Sequence, residues 1–126
     1  MDQTENVQKP PVTRQKGSGA QRGAQQLLAW CQHKTRYYEN VEVKDFSSSF
    51  ADGLALCAIL HSFLPDEVPY DDLSPGNRRE NFTVAMQVAD DAGIGSFFDV
   101  EDMIIVKSPD PKSMMTFLAT IYQHFK

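Results

Sequence analysis

Apolar residues fall into helical register at four places along the chain. Ala24, Leu27, Leu28 and Cys31 stand at i, i+3, i+4 and i+7 with Trp30 beside them, a stripe wide enough to face a core, and predict a helix from about Gly23 to Thr35. Phe50 to Leu64 is apolar on nearly every side and predicts a central helix, opened by Ser49 with Asp52 in the manner of a capping box and ended by Pro65. Ser74-Pro75 offers an N-cap followed by proline in the first turn, where a missing N–H costs nothing. It predicts a third helix to about Ala92, with Phe82, Ala85, Met86 and Ala89 inward and Gly93 and Gly95 closing it. The last helix has the clearest pattern: Asp110-Pro111 opens it, and Met114, Phe117, Leu118, Ile121, Tyr122 and Phe125 recur at helical spacing. A shorter helical turn is expected around Val100 to Ile104, started by Asp99 with Asp102. The pattern predicts an all-α fold, a compact bundle of four main helices plus short ones, with Trp30, Leu54, Leu56, Leu60, Phe82, Met86, Phe117 and Ile121 in its core.

Between the first two helices, Arg36 to Phe46 alternates apolar and polar residues briefly around Val41 and Val43. A single strand with no partner leaves its backbone groups unpaired, so this stretch reads as an ordered loop with alternate apolar residues tucked inward. Residues 1–22 contain almost no large apolar side chain and cannot offset the entropy of ordering, which predicts a disordered leader followed by one domain over residues 23–126. A chain of 126 residues, 41% hydrophobic, holds enough apolar material for one core and not two.

Charge sharpens the picture. The formal net charge of −5 combines a basic leader, with four basic and two acidic side chains, and a domain with eight basic and fifteen acidic ones, a net of −7 for residues 23–126. A domain this acidic is unsuited to non-specific nucleic-acid binding, which needs a basic face to displace counterions from phosphates. No apolar run approaches the ~20 residues that span a bilayer, and the N-terminus lacks the apolar core of a secretory signal, so a cytoplasmic protein without stable membrane insertion is expected.

Little here suits catalysis. His33, His61 and His124 fall on three different predicted helices, and Cys57 with His61 shares a helical face but falls short of the three or four ligands zinc takes. Cys31 and Cys57 lie within apolar helical patterns and read as buried thiols. The carboxylates of Asp71-Asp72 and Asp90-Asp91 point apart on a helix, and Gly93-Ile94-Gly95 follows a helix and lacks the rest of any phosphate-loop pattern. No enzyme activity, cofactor or metal is expected. Arg78-Arg79 stands near a helix N-terminus, where positive charge gains nothing from the helix dipole; either it serves a function or it pairs locally with Asp71, Asp72 or Glu80.

Three separated motifs then resemble a known family. Leu28-Ala29-Trp30-Cys31-Gln32-His33-Lys34-Thr35, the stretch Phe46-Ser47-Ser48-Ser49-Phe50-Ala51-Asp52-Gly53-Leu54 continuing to His61, and Ser108-Pro109-Asp110-Pro111-Lys112-Ser113 continuing to Phe117 resemble the calponin-homology (CH) domain over about residues 23–126. The resemblance is in particular to the single domains of smoothelin and cytospin type and to the second domain of spectrin and α-actinin. It implies a compact α bundle and a cytoskeletal interaction module, actin-binding or actin-targeting, monomeric and with weak affinity alone, since in paired arrangements the first domain supplies most of the grip on the filament. The alternative it carries is a regulatory or scaffolding domain, such as an autoinhibitory N-terminal domain of a small-GTPase exchange factor, that docks on another cytoskeletal or signalling protein. Actin is acidic, so contact requires clustered basic residues; the candidates are Lys34, Arg36, Arg78, Arg79, Lys107 and Lys112, the cations of the domain expected in loops or at helix ends.

Overall fold

Leu54 to Leu60 carries no charged or amide side chain, and all seven of these residues are buried, so the helix they form occupies the inside of the protein. The computed structural model describes residues 16–126. Among them it shows helices α1 (Lys16–Thr35), α2 (Leu54–Phe63), α3 (Arg78–Asp91), α4 (Val100–Ile105) and α5 (Pro111–Phe125), two 3-10 turns at Ser48–Phe50 and Tyr70–Asp72, and no strand. The central α2 packs on α1 and α3, while α4 leans on α3 and α5 on α1. Leu54, Leu56, Leu60, Phe82, Met86, Phe117 and Ile121 are buried, and the loop before α2 contributes Val43 and Phe50.

Several boundaries differ from the expectation. Helix α1 begins at Lys16, inside the stretch expected to be leader, and residues 1–15 of that stretch lie outside the described residues. Phe50 does not open α2: Gly53 has φ +79°, a left-handed conformation that interrupts the helical run, and α2 starts one residue later. Only glycine fits, since a Cβ there would lie 3.0 Å from Asn81 Cβ and 3.1 Å from Phe82 Cδ2. The Asp52 carboxylate accepts from the Leu54 N–H at 2.9 Å, so the expected capping pair is split. Ser49 works in the preceding loop instead, its hydroxyl accepting from the backbone of Lys44 and Asp45.

Ser74-Pro75 likewise forms a turn and not the start of α3. Asn77 is the cap: its side chain accepts from the Glu80 N–H and donates to the Glu80 carboxylate at 2.9 Å. Asp99 and Asp110 cap α4 and α5 as the sequence predicts, with Pro111 in the first turn of α5. Trp30 is half-buried at the edge of the core, not within it, and Tyr122, placed on the inward stripe of α5, is 40% exposed.

The loop leading to Phe50 is held by one carboxylate. Asp45 accepts from the backbone N–H of Ser49 and Ser47 and from the Ser48 hydroxyl, and these bonds, Ser49's first, hold its pKa below the ordinary aspartate value although the group is solvated. A lowered folded-state pKa contributes stability above the unfolded value, about 3.9, and that contribution disappears as pH falls through the folded one. Asp45→Ala is therefore expected to lower the melting temperature at pH 7 and to converge on the wild type as the pH falls through the folded-state pKa. Thermal melts across pH 2–7 check this; a gap that persists at the acid end refutes it.

Candidate interaction surface

The six candidate cations divide into three groups. At the C-terminal end of α1, Lys34 lies half-buried with Nζ 4.3 Å from the centre of the Phe63 ring, and Arg36 lies over Tyr37 at 4.6 Å while donating to the His33 carbonyl. At the start of α3, Arg78 reaches across to the end of α4, where its Nη2 donates to the carbonyls of Met103 and, at 2.9 Å, Val106. Its neighbour Arg79 forms an exposed ion pair with Glu101 in the first turn of α4. Neither arginine pairs with Asp71, Asp72 or Glu80: Arg78 is a clasp between α3 and α4, and Arg79 answers a carboxylate across the same junction. Lys107, exposed on the connection from α4 into α5, and Lys112, exposed in the first turn of α5, form the third group.

The Arg78 contact places Val106, and with it Lys107, beside the start of α3, so Arg78, Arg79 and Lys107 gather at one junction, whereas Lys34 and Arg36 sit at the end of α1. Beside Lys107 the chain exposes Ile105, 80% accessible, and Val106. This apolar and basic knuckle was not among the sequence expectations: α4 buries Met103 alone, which leaves Ile105 at its end facing solvent beside Val106.

Arg78→Ala is expected to cost about 1–2 kcal/mol, because it strips the last carbonyls of α4 of their donor. Arg79→Ala, at a solvated pair, is expected to stay within about 0.5 kcal/mol. Urea unfolding of the two variants checks the contrast, and equal losses would show that the clasp carries nothing.

The groups that might have suggested chemistry are occupied structurally. Cys57 is buried and its thiol donates to the Asn81 carbonyl at 3.1 Å; burial pushes its pKa, and that of Cys31, up to about 12, which leaves both as inert thiols. His61 Nδ1 is hydrogen-bonded to the Tyr38 hydroxyl at 2.7 Å. Tyr38 meets His61 and Tyr70 edge to face with ring centres 5.5 and 5.0 Å away, His61 and Tyr70 lie tilted to each other at 5.9 Å, and the Tyr70 hydroxyl donates to the Glu39 carbonyl at 2.8 Å. Burial raises the pKa of both tyrosines, to about 12 for Tyr70. This cluster, unforeseen because its members lie up to 32 residues apart, fastens the loop after α1 to the end of α2 and to the Tyr70–Asp72 turn. Among the described residues no three His, Cys, Asp or Glu side chains gather as metal ligands.

A second surface lies between α1 and α5. It is a cleft of about 670 Å³ lined by Leu27, Trp30, Met115, Ala119 and Tyr122 with the small residues Gly23 and Ala24 at one end. Tyr122 meets Trp30 edge to face at 5.3 Å, and Phe63, stacked between Trp30 and Phe125, supports the cleft from below.

Over its described residues the chain is an all-helical module with both cysteines buried in its core. Residues 21–126 match the calponin homology (CH) domain, and the chain belongs to that family. It is similar to Cytospin-A from Danio rerio, 46% identical over 108 residues that cover 86% of this chain and 9% of that protein. The Cytospin-A proteins of Gallus gallus and Homo sapiens are 44% and 43% identical over the same length, covering 86% of this chain and 10% of theirs. The chain thus spans about a tenth of the length of these relatives. The resemblance read from the three motifs is a true one, of cytospin type, and it supports a cytoskeleton-associated module from a structural family rather than an enzyme family. No helix among the described residues is long and apolar enough to cross a membrane.

Proposed function

We propose that this domain is an actin-directed docking module, cytoplasmic and monomeric, with weak affinity on its own. Membership of the CH family across residues 21–126 carries the reading. The junction of α4 with α5 supports it, because Lys107 stands there beside exposed Ile105 and Val106, an apolar contact flanked by charge of the sign an acidic filament attracts. Of the candidate cations, Arg78 and Arg79 serve this surface indirectly by fixing α4; Lys107 and Lys112 face outward from it, and Lys34 and Arg36 lie elsewhere.

Cosedimentation of the full chain with actin filaments across a salt series tests the reading. Pelleting is expected at low salt and should fall steeply as the screening length shortens from ~10 Å at 0.1 M to ~3 Å at 1 M. Lys107→Glu is expected to weaken it further. Absence of pelleting at low salt would count against actin and for a second reading, a regulatory or scaffolding domain that docks on another protein; the net charge of −7 over residues 23–126 favours that reading, since it opposes an acidic filament.

A further inference from the structure

The cleft between α1 and α5 differs electrostatically from the rest of the domain. From Arg22 to Thr35 and from Pro111 to Lys126 the charged side chains are Arg22, Lys34, Lys112 and Lys126, and neither stretch contains a single Asp or Glu. All fifteen acids of residues 23–126 belong to the other elements, the nearest in sequence being Asp110, whose carboxylate is engaged in capping α5 through Ser113. Lys34 and Lys126 flank the Trp30 end of the cleft: Lys34 covers Phe63, and Phe63 stacks at 4.4 Å on Phe125, next to Lys126. A largely apolar trough with no charged lining, set between two helical walls whose only charged side chains are basic, thus stands in an acidic protein.

We propose that this cleft binds an acidic amphipathic helix from another polypeptide, a site separate from the α4 to α5 junction and independent of filament binding. The dimensions fit: the α1 wall from Gly23 to Trp30 is two helical turns, about 10 Å, the span between anchors at i and i+7 of a docked helix. Trp30, Met115 and Tyr122 supply the adaptable and aromatic contacts that receive such anchors, and the basic side chains of the two walls meet carboxylates on the helix flanks. A second copy of this chain is a poor occupant, because its matching face would bring the same cations into opposition. A flat anionic membrane is poorer still, since the apolar side chains line a recess and do not protrude.

Trp30 is the only tryptophan in the chain and sits in the cleft, so its emission reports occupancy. The probe is a synthetic helical peptide with leucines at i, i+3, i+4 and i+7 and glutamates at the flanking positions, titrated into the full chain, with a control peptide carrying lysines in place of the glutamates. The acidic peptide is expected to change Trp30 emission saturably and to lose affinity with added salt, whereas the lysine peptide leaves the emission unchanged. Ala119→Glu, at an exposed position on the cleft wall, is expected to weaken binding by about tenfold or more, and the near-isosteric Gln26→Glu by less, both with unchanged helical circular dichroism. Lys107→Glu should leave the titration as it was, which separates this site from the proposed filament contact. No response to the acidic peptide, an equal response to the lysine peptide, binding that survives Ala119→Glu, or a change produced by phosphatidylserine vesicles or by self-association in place of the peptide would each overturn the proposal.

Discussion

Phe117→Ala is expected to lower the unfolding free energy by about 3–5 kcal/mol, because a buried aromatic ring is removed from a core that cannot close over the space. Phe117 is fully buried in the middle of α5. Its ring stacks on Phe97 at 5.6 Å and meets Phe98 edge to face at 5.5 Å, which ties α5 to the segment between α3 and α4. For a domain of this size each kcal/mol moves the melting temperature by several degrees, so a drop of about 15 °C or more is expected. The companion variant Phe97→Ala, at a ring that is 46% exposed, should cost no more than about 1 kcal/mol. Urea denaturation measures both, and a Phe117 variant no less stable than the Phe97 one would mean that α5 is not anchored through this ring.

That asymmetry between two phenylalanines shows where sequence reading succeeds. The spacing of α5 identified Phe117 as inward because a helix buries one stripe and the stripe is local information. The caps at Asp99 and Asp110 were legible for the same reason: a side chain bonding an N–H two or three residues on needs no knowledge of the rest of the fold. The start of α3 was misplaced: Ser74-Pro75 forms a turn, and Asn77 caps the helix instead, since Asn77 and Glu80 satisfy each other as well as the helix end.

Other features were illegible because they belong to pairs of elements. Apolar composition from Phe50 onward continues smoothly through Gly53, yet α3 presses on that point so closely that only a left-handed glycine fits, and α2 must start after it. Arg78 looks like surface charge until α4 is placed within its reach. Trp30 falls beside a core stripe and proves half-buried, which turns a packing residue into the wall of a cleft. Of the candidate cations, composition picked out the set, but only the folded chain separates Lys107 and Lys112, which face outward, from Arg78 and Arg79, which hold α4 in place.

Asn81→Leu is expected to cost about 3–4 kcal/mol, although leucine fills nearly the same volume. Asn81 is fully buried at the start of α3, and its Nδ2 donates to the carbonyls of Asp52 and Ser74, both at 2.8 Å. The amide therefore joins the start of α2 to the turn before α3, and removing it leaves two carbonyls without that donor at about 1–3 kcal/mol each. The orientation of the amide follows from its partners, since turning it over would set Oδ1 against two carbonyl oxygens. Asn81→Asp gives a sharper result. A carboxylate there would face those same two oxygens, so its folded-state pKa must lie above the unfolded value, and the protonated form, with its one O–H, is the better tolerated. A raised folded pKa contributes stability below the unfolded pKa and loses it as pH rises through the folded one. The Asn81→Asp variant should consequently melt higher at pH 4 than at pH 7 relative to the wild type measured at each pH. If Asn81→Leu matches the wild type, or the aspartate variant shows no such pH dependence, the buried amide is not the joint between α2 and α3 that its hydrogen bonds describe.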